Sequence, residues 1–153
     1  MAEFTYNPVQ TVEAGQNVIL NNSISCSKGY VFHRNESGIV ILRGIVNNPS
    51  NEYARYQVTF NANIAVPEGG TAGEISVALA VDGEIIPTSL ASVTPTVVDS
   101  YFNVTSTKYI TVPKGCCFTL SVENASTSIT GETPTPASPI NVRNANLVVT
   151  RTA

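Results

Sequence analysis

The sequence predicts an all-β protein: a β-sandwich or barrel that becomes a jelly roll if its strands close two Greek keys. Three observations carry the prediction. Apolar residues recur with period two, the repeat of a strand with one buried face. Turns rich in Gly, Pro, Asn and Asp punctuate the chain at short intervals. No segment combines sustained helical spacing with caps.

Taken in order, residues 1–153 read as a single domain, with 1–16 an N-terminal arm or strand. Residues 17–20, 29–34 and 38–46 read as three short strands, separated by turns at Gly15-Gln16 and Asn35-Glu36-Ser37-Gly38 and closed by Pro49 and Ser50. The clearest strand begins at Tyr56. Its even positions are Tyr56, Val58, Phe60, Ala62, Ile64 and Val66, and its odd positions are Gln57, Thr59, Asn61, Asn63 and Ala65. Pro67-Glu68-Gly69-Gly70 ends it. Next, 74–81 and 84–89 flank Asp82-Gly83. A two-residue Asp-Gly loop between apolar runs signals a hairpin, because both loop residues must accept positive φ. The first arm alternates Ile75, Val77, Leu79 and Val81 with Ser76, Ala78 and Ala80. Its small second face predicts a close neighbour rather than open solvent.

The β-branched and aromatic block 97–112 predicts two strands or one bent strand, ending at the turn Pro113-Lys114-Gly115. A strand over 117–123 puts Phe118, Leu120 and Val122 on one side, and a last strand over 145–151 points Leu147 and Val149 inward. Residues 131–139 contain Pro134, Pro136 and Pro139. Proline cannot donate to a ladder, so this stretch reads as an exposed loop.

Composition excludes several functions. Of 153 residues, 8 are Lys or Arg and 11 Asp or Glu, for a net charge of −3. A binder of phosphate backbones needs clustered cations, so no nucleic-acid partner is expected. The longest aliphatic run, Ile39-Val40-Ile41-Leu42, is cut by Arg43. That is far short of the ~20 apolar residues of a helical membrane span. The first residues, Met-Ala-Glu-Phe-Thr-Tyr, show neither the basic nor the apolar region of a secretory signal, so none is expected. The cysteines, Cys26 and the adjacent Cys116 and Cys117, make a poor disulfide framework and read as free thiols. If 116 and 117 share a strand, one side chain points inward and the other away.

Residues able to carry chemistry are few. His33 is the single histidine. It sits beside Arg34 near a turn and reads as a solvated loop residue. A catalytic triad would have to draw on Asp82 or Asp99, both at turns and distant in sequence, and no Gly-X-Ser-X-Gly elbow is present. Zinc needs three or four clustered ligands, and Asp82-Gly83-Glu84 is too sparse for a calcium loop. No carboxylate pair stands out for glycoside hydrolysis. The expectation is no enzyme, no cofactor and no metal.

What remains is surface. Charged residues are 12% of the chain, about half the usual ~25%. Polar positions are mostly Thr, Ser, Asn and Gln. An exterior so poor in charge suits a chain partly covered by partners. Tyr101, Phe102, Tyr109 and Phe118 are the candidate oligomer-interface residues, unless they simply fill the core.

Several stretches carry a resemblance: Val9 to Val18, Ala62 to Gly70, the hairpin 75–86, Ile110 to Cys117 and Asn141 to Val149. They resemble small proteins encoded by gut Firmicutes and their bacteriophages. Those in turn are similar to the trimeric jelly rolls of the complement and tumour-necrosis-factor superfamily, exosporium glycoprotein tips included. The resemblance implies a jelly-roll homotrimer. Without a collagen-like stalk or signal peptide, it implies a virion component assembled in the bacterial cytoplasm. Capsid decoration or a head fibre is the expected role, with the major capsid protein or another virion protein as partner. The alternative is a receptor- or glycan-binding tip, in which exposed tyrosines and the Pro-rich stretch stack on sugars.

Overall fold

The alternation around Tyr56 becomes a 13-residue strand, Tyr53–Ala65, and the rest of the molecule is organised about it. A computed structural model describes residues 1–23, 29–44, 49–126, 128–130, 133–135 and 139–153. Its strands are β1 (Ala2–Tyr6), β2 (Gln10–Val12), β3 (Asn22–Ser23), β4 (Val31–His33), β5 (Val40–Arg43), β6 (Tyr53–Ala65), β7 (Ile75–Val81), β8 (Glu84–Ile85), β9 (Ala91–Val93), β10 (Phe102–Pro113), β11 (Cys117–Asn124), β12 (Ser128–Thr130), β13 (Thr133–Thr135) and β14 (Ile140–Arg151). One sheet has the order β10-β6-β14-β1-β3, with β2 also on β14. The other has the order β4-β5-β11-β7-β8, with β9 also on β7. The pairings within both sheets are antiparallel. Facing each other, the sheets form the jelly-roll β-sandwich that the sequence predicts.

The core lies between them. Phe4, Tyr56, Phe60, Ile64 and Leu147 of the first sheet and Leu42, Leu79 and Leu120 of the second are fully buried. Each such side chain contributes roughly 1.5–3 kcal/mol relative to exposure. The segment 17–20 departs from the expected strand. Asn17 makes one isolated bridge to Glu123, and Val18 N–H donates to Val122 O at 2.8 Å. Val18 and Leu20 are nonetheless buried. This stretch fills the gap beside β11 where β5 stops. Gly38 explains how it fits: a Cβ there would lie 2.0 Å from the Val18 carbonyl oxygen, so only glycine allows the approach.

The Asp-Gly hairpin forms as expected. Asp82 (φ 52°) and Gly83 (φ 83°) are both left-handed. Asp82 Oδ1 also accepts from Thr119 N–H at 2.8 Å and Thr119 Oγ1 at 3.1 Å, tying the turn to β11. The second arm is shorter than expected, because Pro87 opens a 3-10 turn, Pro87–Ser89. Ser89 Oγ accepts from Leu79 N–H at 2.9 Å and donates to Ile86 O at 2.7 Å. A side chain thus satisfies the β7 edge between β8 and β9. Ser76, Ala78 and Ala80 are all buried, matching their small size.

Three other expectations are refined. The block 97–112 yields one strand, β10; Val97 and Val98 precede it, and Asp99 (φ 56°) donates its N–H to Val66 O. The last strand starts at Ile140, because Asn144 (φ 52°) sits in a register shift between Arg143 and Asn146 that lets β14 run through. Within the Pro-rich stretch, Thr133–Thr135 pairs with Ser128–Thr130 as a small ribbon instead of a loop. Residues 131, 132 and 136–138 lie outside the described residues, as do Cys26 and residues 45 and 46. Cys116 and Cys117 are both exposed, against the expectation of one inward thiol. Cys116 ends the turn, and its N–H bonds back to Pro113 O, so only Cys117 belongs to the strand.

Candidate functional site

The long first sheet turns one face to the core. Its other face is built from the alternate residues of β10, β6, β14 and β1. Register places Asn103 opposite Asn63, Thr105 opposite Asn61, Thr107 opposite Thr59 and Tyr109 opposite Gln57. On the far side of β6, Asn146 meets Asn61, Val148 meets Thr59 and Thr150 meets Gln57. The centre of this face therefore holds amides, hydroxyls and one valine, with no charge. Arg55 and Arg143 stand toward its two ends, and Glu3 toward the β1 side.

These side chains bond to one another across the strands. Thr59 and Thr107 hydroxyls lie 3.0 Å apart, and Asn61 Nδ2 donates to Thr105 Oγ1 at 3.1 Å. Asn103 Nδ2 donates to Asn61 Oδ1 at 3.0 Å, and Asn63 Nδ2 to Asn144 Oδ1 at 3.2 Å. At the β1 side Asn146 donates to Glu3. The result is a cross-bonded surface, neutral at its centre, whose polar groups are partly satisfied within the protomer. Burying such a surface against a partner desolvates few unpaired dipoles and no charge at its centre.

The four candidate interface residues do not form one patch. Tyr109 lies on the neutral face and is 63% exposed. Phe102 opens the same strand, paired with Ile64, and is exposed on the opposite side from Tyr109. Tyr101 stacks beneath Arg143, with the guanidinium carbon 3.8 Å from the ring centre. Phe118 is in the other sheet, partly buried against the core. The neutral ladder itself was visible in the sequence only as the odd positions of β6. Its partners on β10 and β14 needed the register.

The residues considered for catalysis stay apart. His33 is part-buried at the end of β4, not a solvated loop residue. Its Nε2 lies 3.0 Å from Ser37 O, and its ring centre is 5.0 Å from that of Phe4. Asp82 belongs to the hairpin, and Asp99 to the turn before β10. Among the described residues, no three His, Cys, Asp or Glu gather as a metal site. Among the described residues, two titrating groups are perturbed. Burial pushes the Glu123 carboxyl above its ordinary range. Burial also raises the Tyr56 phenol, against the Arg151 charge, which pulls it down. Tyr56 is a core residue, so its shift reflects packing rather than a reactive cleft.

Neither a protein-family model nor a curated protein matches the chain. Among solved structures, it is similar to the globular domain of zebrafish complement 1qA protein, with a TM-score of 0.56 and 14% identity. That likeness covers 95% of this chain and 92% of the other, and it establishes the fold. A CBM35 from Cellvibrio japonicus Abf62 aligns over 95% of this chain and 99% of its own at 13% identity, but its TM-score of 0.31 is too low to carry an argument.

Proposed function

We propose that this chain is a non-catalytic assembly module: a homotrimer that decorates a bacteriophage capsid or builds part of a head fibre. The observation that carries the reading is the uncharged, cross-bonded centre of the first sheet's outer face. The cores of protein interfaces are depleted of charge. A rigid face of this kind, repeated about a closed axis, buries itself with little ordering cost. The resemblance of residues 62–70, 75–86, 110–117 and 141–149 to small phage and Firmicutes proteins supports three-fold symmetry and a place in the virion. The second partner is the major capsid protein or another virion protein, and the module is assembled in the host cytoplasm.

Light scattering on the isolated protein tests the assembly. A mass three times 16.2 kDa is expected. Thr59→Lys, which puts an ammonium at the centre of the neutral face, is expected to yield monomers. Ser92→Lys, exposed on β9 of the other sheet, leaves the mass unchanged. A wild-type monomer at micromolar concentration overturns the reading. The virion role is tested by averaging intact particles: density for this fold at three-fold positions supports it, and absence from particles made while the chain is expressed overturns it.

A further inference from the structure

Four of the five arginines lie over aromatic rings. Three of these pairs share one end of the sandwich. Arg43 covers Phe32 at 4.0 Å, Arg151 covers Tyr30 at 4.0 Å, and Arg55 approaches Tyr53 at 5.4 Å. The pairs are joined by contacts. Arg43 N–H donates to Tyr30 O at 2.9 Å, and the Tyr56 hydroxyl donates to Arg43 O with Tyr30 O 3.3 Å away. Arg151 Nε and Arg55 N–H both donate to Ala153 O at 3.0 Å. Tyr30, Phe32 and Tyr53 remain 43%, 40% and 43% exposed.

In a chain of net charge −3, three guanidinium groups so grouped are a local reversal of sign. Stacking holds the Arg43 and Arg151 forks in place, so less side-chain freedom is lost when they bind an anion. Beside Tyr53 lies a hollow of about 330 Å³, lined by Ser50, Asn51, Glu52, Tyr53 and Ala153. That is the small end of ligand-pocket volumes. The Asn51 amide and Glu52 carboxylate match the donors and acceptors of a sugar, and the Tyr53 ring offers a stacking platform.

We propose that this end of the sandwich binds an acidic saccharide. One sugar occupies the hollow against Tyr53, and the acidic groups of the chain engage Arg55, Arg151 and Arg43. This goes beyond self-assembly and does not depend on it. The recognised chemistry is an anionic oxygen group on a carbohydrate backbone, from either a uronic acid carboxylate or a phosphodiester.

Titration calorimetry with short oligogalacturonate, glycerol-phosphate-linked oligosaccharide and neutral malto-oligosaccharide separates the sources. Binding of one or both acidic probes, weakened by salt, is expected, with none to the neutral probe. Arg55→Gln and Arg151→Gln should each weaken binding about tenfold, the scale of one charge-assisted contact. Arg143→Gln, at the other end, should leave it unchanged, as should Thr59→Lys. On the wild-type protein, the arginine Nε–H resonances of Arg43, Arg55 and Arg151 should shift with either acidic probe while those of Arg34 and Arg143 stay fixed. Equal binding of the neutral probe, binding insensitive to Arg55→Gln and Arg151→Gln, shifts centred on Arg143, or no response to either acidic probe overturns the proposal. Tighter binding of a single-stranded DNA oligonucleotide than of either acidic sugar overturns the saccharide assignment.

Discussion

The two sheets bury similar inner faces and finish their outer sides in opposite ways. In the second sheet, β11 is the longest strand at 8 residues, and short segments close its margins. Ser89 fills the break between β8 and β9, Asp82 caps Thr119, and the stretch from Gly15 to Val18 runs beside β11. Even outward positions such as Ser76, Ala78, Ser121 and Glu123 are buried there. In the first sheet, β6, β10 and β14 run 13, 12 and 12 residues, and their outer side chains bond mainly to one another. The chain has closed part of the second sheet's outer side with its own residues and left the first sheet's outer side uncharged at its centre. A partner is therefore expected on the first sheet.

The largest effect should come from what both sheets share. Phe60→Ala removes a buried ring from the common core and is expected to cost about 3–5 kcal/mol, read by denaturant unfolding. Survival of a cooperative transition with a loss below ~1 kcal/mol would mean that the sheets do not depend on one interior. Ser89→Ala probes closure of the second sheet. It leaves the buried Leu79 N–H without its partner, and a loss of about 1–3 kcal/mol is expected.

Asn61→Ala asks the matching question of the first sheet. Its cross-strand bonds lie on the outer face, so subunit stability should change by less than ~1 kcal/mol, measured on the Thr59→Lys background. A loss as large as that of Ser89→Ala would erase the contrast between the sheets.

The smallest effect concerns Glu123. Its carboxyl is raised above its ordinary value of 4.5 by burial, so the folded state holds a proton that the unfolded state releases first. The stability tied to that proton is complete below the ordinary value and is lost as pH rises through the raised one. Melting temperature against pH should therefore fall less steeply across this window in Glu123→Gln than in the wild type. An unchanged slope would place the titration elsewhere.

The regular parts of this architecture were legible in the residues. Strict alternation announced β6, and Asp82-Gly83 announced its hairpin, because each encodes a local geometry. The misses have local causes as well. Asn144 takes a left-handed conformation that the apolar pattern does not signal, so β14 read as half its length. Val18 and Leu20 look like strand residues, yet they serve as packing beside β11. The neutral ladder was half visible on β6, since Gln57, Thr59, Asn61 and Asn63 alternate with apolar neighbours. The arginine–aromatic end could not be read, because Tyr30, Arg43, Tyr53 and Arg151 meet only through the fold.

β14 lies between β6 and β1 in the first sheet, with Val149 opposite Ala2 and beside Val58. During synthesis, the nascent chain exposes β6 and β10 long before this central strand leaves the ribosome. Until then β1 has only the two-residue β3 to pair with, and one flank of β6 is an open template. Pairings of such long sequence separation fold slowly and leave strand edges exposed to other chains. Polysomes making this protein should therefore recruit holdase chaperones late, and release them once Ile140 to Arg151 has cleared the exit tunnel.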